Sequence, residues 1–364
     1  MSKPAKQELT DYVSKNYVVS KAQASSMKAA ELENVIVVDD LNATVNLFLS
    51  GCIYVSAVCT NPQGDIDTNG APRQNPCNGK GLISSPGYKR KMRDAIQAMY
   101  KLPIHVQRRG VLLGGTLEAA MAKGKDPKAT ADLKKFVEDQ KQKADKSNKS
   151  AKASEVDDDD DSEEAEDSVE NKGKRDWSSI KQANREHFWD DRTFGRLFTA
   201  PVNDGDTGPV QISHFQTLHP IHILDLAVNA PLASFKEKGD NTIGRMSIVD
   251  FGLYTGTITV NPRHAQTTGY TWADLNLLLN TVALLWDMSQ SATRTGVSHE
   301  RMYLFLHTSA YGSLPLNQTI KLTRPVDKTS FGPEDSRKSM EDYQLPDRDA
   351  VEDGLPSGMK LIII

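Results

Sequence analysis

Lys89, Arg90, Lys91 and Arg93 fall within five residues, in the stretch SSPGYKRKMRDAIQAMY (84–100). Cations this dense can neutralise the phosphates of a nucleic acid, or can keep one face of a helix in water. The spacing predicts the helix itself. Tyr88, Met92, Ala95, Ile96 and Met99 recur at helical period on one face, Lys89, Arg90 and Arg93 fall opposite, and Lys91 lies on the flank. Ser85 is a suitable cap and Pro86 suits the first turn. Basic residues stand at the wrong end of the helix dipole, whose N-terminus favours anions. An anion arriving from outside relieves that cost, since helix N-termini bind phosphate. From this segment alone both readings stay open.

Other groups able to do chemistry are scattered. Arg73 and Lys80 lie in a Gly/Asn/Pro-rich loop, TNPQGDIDTNGAPRQNPCNGKGLIS, before the basic helix. Asp65 and Asp67 share that loop, where such residues are commonly turn formers because their side chains bond local backbone. His214, His219 and His222 are close in sequence, but no partnered Cys or Glu makes a metal site of them. Cys52, Cys59 and Cys77 form no CxxC pair and are odd in number, which argues against a disulfide framework or a zinc site. There is no Walker phosphate loop and no nucleophile elbow. No cofactor and no metal are expected.

The elements that must position these residues follow from patterning. Hydrophobic residues make up 38% of the 364, which is low enough that part of the chain is not core. The net charge of −4 hides an asymmetry: residues 155–170, EVDDDDDSEEAEDSVE, hold 11 of the 48 acidic residues and no cation. The remaining 37 acids face 44 Lys and Arg, so a basic working surface and one acidic tract coexist. Residues 1–45 read as a polar extension with one or two short helices. Residues 123–176 are Lys/Asp/Ala/Ser-rich and too polar to offset ordering entropy, so a disordered acidic linker is expected there. It either solubilises the chain or shields a basic groove. The first residues contain no signal-like apolar run and no segment spans about 18 apolar residues, so a cytoplasmic protein without membrane contact is expected.

Six elements stand out: strand 51–59, helix 86–100, strand 209–216, strand 252–260, helix 271–289 and strand 301–307. Residues 218–250 read as a Pro/Gly-punctuated hairpin excursion. Thr271 and Asp274 resemble a capping box, and Leu275, Leu278, Leu279, Val282, Leu285 and Trp286 make a buried stripe. The β-α-β-β-α-β order is that of an α+β, ferredoxin-like fold used by RNA-recognition domains.

Five phrases in order carry a resemblance: NPQGDIDTNGAPRQNPCNGKGLISSPGYKRKMRD (61–94), FWDDRTFGRLF (188–198), GPVQISHFQTLHPI (208–221), NTIGRMSIVDFGLYTGTITV (241–260) and LLWDMSQSATRTG (284–296). Together they resemble the CRISPR-associated Cascade backbone subunit, the Cas-seven family of the RAMP superfamily, most closely its type I-C branch. The resemblance implies a modified RNA-recognition palm over 46–325, a finger insertion at about 101–187, a thumb hairpin at about 218–250, and a C-terminal tail at 326–364. It implies copies stacked head to tail along a CRISPR guide RNA, an open heterologous filament. Target DNA is then read by pairing with the guide, beside other Cascade subunits. The 45 residues before the first strand and the acidic tract depart from the family pattern, as does NPQGDID where type I-C members have a Gly-Asn-Pro-Asn-Gly-Asp-Pro-Asp phrase.

By this resemblance Lys89, Arg90, Lys91 and Arg93 match the family's basic helix and are expected to meet guide phosphates. Arg73 and Lys80 are further candidates, or are merely solvated. Arg192 reaches RNA or pairs with Asp190 or Asp191. Gln211 binds a base or sugar edge or serves its strand. Arg245 and Met246, in the presumed thumb, suit a phosphate clamp beside an apolar wedge, although Met is also an ordinary packing residue. Arg294 meets RNA or complements a helix C-terminus. No catalysis is expected. A related branch cuts target RNA with an Asp in a comparable loop, so a metal-dependent nuclease using Asp65 or Asp67 is the alternative. A protein-only filament or shell, with the basic face on a neighbour's acidic tract, is a third.

Overall fold

The structure, a computed structural model, describes residues 16–106, 177–198, 204–230, 242–328 and 337–364. The expected acidic linker lies outside these residues, as does most of the expected finger. The chain divides into one unit of residues 1–101 with 193–364, and a second of residues 102–192.

The first unit is built on an antiparallel sheet. Its strands are β1 (Leu49–Thr60), β2 (Lys80–Ile83), β3 (Val210–Ile212), β4 (Phe215–Pro220), β5 (Ile223–Ala230), β6 (Thr242–Val260), β7 (Val297–Leu306) and β8 (Lys360–Ile363). The spatial order is β8-β7-β1-β6-β4-β2, with β3 and β5 also pairing with β6. The expected 209–216 strand is two strands. Ser213 separates them: its amide donates to the Thr257 carbonyl and its Oγ accepts from the Thr257 amide. The expected 252–260 strand begins ten residues earlier, because 242–249 pairs in register with β5 from Ala230 to Ile223.

Helices α1 (Ser85–Tyr100) and α4 (Trp272–Leu284) lie over one face. Tyr88 stacks on Phe215 with centroids 4.6 Å apart and meets Trp286 edge-on at 6.1 Å. Tyr88, Met92, Ala95 and Ile96 are buried, and so is the whole apolar stripe from Leu275 to Trp286. Each large side chain so covered contributes about 1.5–3 kcal/mol. The Thr271–Asp274 capping box is formed in both directions.

The opposite face is covered by the C-terminal region. Cys52, Tyr54, Phe251, Leu253, Tyr303 and Phe305 pack against Tyr343, Val351 and Leu361. The expected tail is therefore a layer of the fold, and its apolar end LIII supplies the edge strand β8. Burial pushes the Cys52 thiol up to about 11, and Cys52, Cys59 and Cys77 are all free.

The N-terminal region docks too. Val18–Ser20 and Ile36–Val38 pair in parallel, and the Asn276 carboxamide on α4 accepts the amides of Tyr17 and Val18. Asn34 closes the sheet edge. Its Nδ2 donates to the Ile363 carbonyl at 2.6 Å, and its Oδ1 accepts the Ile363 amide and an Arg348 N–H, both at 2.7 Å. One side chain thus does what a further strand would do at an exposed edge.

The second unit includes helix α2 (Trp177–His187) and most of α3 (Trp189–Phe194). Buried Asp190 accepts the amides of His105 and Val106, at 2.8 and 3.1 Å, and Asp191 takes the His105 ring at 2.7 Å. Phe188 stacks on that ring at 4.4 Å. The residues just before and just after 107–176 are thereby tied together.

Replacing Asn34 by Ala strands the Ile363 amide and carbonyl and is expected to cost about 2 kcal/mol. A lower urea midpoint at unchanged slope, with faster amide exchange at Ile363, checks this. His299 is held by burial down to about 4, from 6.5. Between those values the unfolded chain binds the extra proton, so stability is complete above about pH 6.5 and falls as the pH drops toward 4. His219 and His307 are lowered in the same sense and add to the slope. His299→Gln should flatten the stability–pH curve in that window, read by thermal melts at stepped pH.

Candidate nucleic-acid interface

Helix α1 begins one residue earlier than the cap expected from sequence. Ser84 is the N-cap: its Oγ accepts the Gly87 amide and a Gln63 N–H, while Gln63 Oε1 takes the Ser84 amide. Ser85 is used otherwise, its Oγ donating to the Ile212 carbonyl and its amide to His214 Nδ1. Pro86 has no amide to offer. The first-turn donors are thus spoken for by the fold itself. Any anion here must be met by side chains.

The four cations separate around the helix. Lys89 and Arg93, one turn apart, both lie over the buried Phe194 ring, at 5.3 and 4.9 Å from its centroid. Lys89 Nζ also donates to Gln211 Oε1 at 3.3 Å, and the Gln211 amide donates to the Gly208 carbonyl at 2.9 Å. Lys91 lies on the other flank over Trp286, at 5.2 Å. Arg90 pairs with Asp94, one turn on, at 2.6 Å. All four residues are half-buried. Burial, then the neighbouring Arg93 charge, lowers the pKa of Lys89. No carboxylate pairs with Lys89 among the described residues. Lys89, Arg93, Gln211 and Phe194 therefore form a compact positive cluster, in which an added anion would favour the charged form of Lys89.

Three other candidates carry structural duties. Arg73 pairs with Asp65 at 3.3 Å inside the loop. Asp65 Oδ1 also accepts the Asp67 amide at 3.4 Å, and its backbone bonds Gly70 and Ala71, so Asp65 acts as a turn former. Arg192 donates to the carbonyls of Arg185 and Glu186 at the end of α2. Arg294 donates to the Ser289 carbonyl at 3.1 Å, just past the Asp287–Ser289 turn, close to the helix-end role considered for it.

Arg245 and Met246 lie on the β5–β6 hairpin, opposite Ala227 and Leu226. The hairpin has two unlike faces. Leu224, Leu226, Met246 and Ile248 share one, with Leu224 and Leu226 exposed. Arg245, Ser247 and Asp225 share the other, where Ser247 Oγ donates to Asp225. Lys80 is the first residue of β2, across the ladder from Pro220. Phe194 and Gln63 were not anticipated, and His214 was weighed only as a metal ligand; only their places inside the quoted phrases pointed to this role. Among the described residues no cluster of three metal-ligating side chains occurs, and no helix is long and apolar enough to cross a membrane.

Ser50 and His307 make a buried Ser–His pair at 2.8 Å, but not one arranged for nucleophilic attack. His307 Nδ1 accepts the amides of Ser313 and Leu314, so Nε2 carries the proton and donates to Ser50.

Comparison with known proteins gives a family match over residues 49–346, to the CRISPR-associated protein Cas7 model. No curated protein matches significantly by sequence. Among solved structures, one chain of a CRISPR RNA-guided surveillance complex in a pre-nicking state is 15% identical, with a TM-score of 0.43 over 71% of this chain and 78% of that one. A chain of another CRISPR RNA-guided surveillance complex is 15% identical, with a TM-score of 0.34 over 74% and 77%. The family match spans most of the chain and takes in the sheet apart from its edge strand β8, the basic helix and the hairpin: this protein belongs to the CRISPR-associated protein Cas7 family.

Proposed function

We propose that this chain is a non-catalytic scaffold subunit of a type I Cascade, polymerising head to tail along a CRISPR guide RNA and presenting it for pairing with target DNA. The observation that carries the reading is the Lys89–Arg93–Gln211 cluster over Phe194. Two adjacent half-buried cations, with Lys89 lacking a carboxylate partner among the described residues, are what a phosphodiester needs and what a purely solvated face does not require. Lys91 and Arg90 extend the surface along the same helix. Gln211, fixed by Gly208, presents its amide beside Lys89 for a sugar or phosphate oxygen.

The sheet supports the fold half of the proposal. Taking β1, β3/β4, β6 and β7 as first to fourth, their spatial order is 4-1-3-2, the order of a ferredoxin-like palm. The β5–β6 hairpin is the proposed thumb. Its apolar face, with Met246, is suited to wedging between bases, and Arg245 on the other face to clamping a phosphate. The type I-C branch remains part of the same proposal, resting on the quoted phrases.

The Lys89→Ala/Arg93→Ala variant of the full chain is expected to bind single-stranded RNA with a salt slope smaller by about 1.4, at about 0.7 for each phosphate no longer neutralised. Fluorescence anisotropy over a salt series reads it; an unchanged slope would sink the proposed RNA role of α1. The Asp65→Ala/Asp67→Ala variant should leave paired target RNA as intact as the wild type does, on a denaturing gel with divalent metal present. Wild-type cutting that vanishes in that variant would install the nuclease reading instead.

A further inference from the structure

Gly208 is in touch with two parts of the α1 cluster at once. It follows the ladder that pairs Gly195–Phe198 with Asp204–Thr207, and it stands two residues before β3. It is buried, and its backbone lies flat against the chain at residues 193–195. A Cβ on Gly208 would overlap the Phe194 carbonyl carbon and the Gly195 amide nitrogen, and would stand 2.6 Å from the Thr193 carbonyl oxygen. These are backbone atoms, which cannot turn aside as the end of a side chain can. Gly195 meets the approach from the other side. Its φ is +75°, and a Cβ there would overlap the Asp206 carbonyl oxygen and the Gly208 amide nitrogen.

Two routes lead from Gly208 to the cations. One runs through the backbone of Phe194 to its ring, which lies under both Lys89 and Arg93. The other runs through the Gly208 carbonyl, which accepts Gln211 Nε2 at 2.9 Å, while Gln211 Oε1 accepts Lys89 Nζ at 3.3 Å. The buried face of α1, with Tyr88, Met92, Ala95 and Ile96, fixes the helix to the sheet but does not decide what lies beside Lys89 and Arg93. We infer that Gly208 is a positioning residue for the proposed phosphate contact. Its missing side chain lets Phe194 and Gln211 reach the places from which Lys89 and Arg93 are presented together. The inference rests on the reading of α1 proposed above. It adds that a buried, uncharged residue governs how the cations are displayed. Side chains held in place before a ligand arrives lose less freedom on binding it, and a site left loose by its supporting residues binds poorly.

The test uses the full chain carrying Gly208→Ala, beside wild type and Lys89→Ala/Arg93→Ala, with two readouts. The first needs no nucleic acid. Lysines are methylated with isotopically labelled formaldehyde and titrated by NMR, with Lys89→Arg identifying the Lys89 signal. Burial keeps the Lys89 pKa below the usual lysine range, so displacing Phe194 should move its titration up toward that range. The second readout is the salt slope for a single-stranded RNA, which should fall by up to about 1.4 although no charge is removed. Should Gly208→Ala not fold, Phe194→Leu/Gln211→Ala cuts both routes with the glycine in place and takes the same readouts. A raised Lys89 titration with a reduced slope supports the inference. A wild-type slope, where Lys89→Ala/Arg93→Ala still lowers it, overturns the inference whatever happens to the melting temperature, and makes Gly208 a packing residue only. An unmoved Lys89 titration overturns it too, since any loss of binding then does not pass through the cluster. A raised titration with a slope lowered by neither variant overturns the α1 reading itself, and leaves Gly208 ordering a cluster with another purpose.

Discussion

Strand β6 is the constraint on which the rest depends. It runs unbroken for 19 residues, from Thr242 to Val260. Its second half is the centre of the sheet, bonded to β1 on one side and to β3 and β4 on the other. Its first half leaves the sheet and pairs with β5 alone. Val249 is where the regimes meet, since it is in register with both Ile223 and Thr60. A strand cannot bend freely without a bulge or a break in its ladder. The hairpin is therefore an extension of the core, and its direction is set by residues buried far from its tip.

The same strand explains why both faces of the sheet must be covered. Along β1, from Leu49 to Ala57, every residue is buried, so no face alternates with water. One face takes α1 and α4, with the Tyr88–Phe215 stack between helix and sheet. The other takes the C-terminal layer. This second cover has a functional consequence. The sheet surface that RNA-recognition folds offer to bases is closed here by Tyr343, Val351 and Leu361. The half-buried cations of α1 lie instead on the flank of that helix, where the phosphate contacts are proposed.

Much of this is legible in the residues. The apolar periods of 86–100 and 271–289 predict both helices and their buried faces, because periodicity is a local property that packing merely uses. The Thr271–Asp274 box is legible for the same reason. The β8 edge strand is not. LIII is too short to display a period, and its pairing with β7 depends on residues some 60 positions away. The N-terminal segment reads as an extension because its polar composition conceals a few small buried anchors, Tyr17, Val18, Val19 and Ile36 among them. The helix cap falls one residue from its expected place, since Ser84 and Ser85 are chemically equal and only the positions of Gln63 and His214 distinguish them.

What the sequence by itself determined is the supply: which segments alternate, where cations concentrate, and that an acidic tract is segregated from them. What each cation is set against is a tertiary matter. Arg90, Arg73, Arg192 and Arg294 are each engaged by an acceptor close in the chain, while Lys89 and Arg93 are set over Phe194, and Lys89 beside Gln211, from far along it. A charge is neutralised or left wanting by whatever lies within a few ångströms of it, and only the folded chain decides what that is.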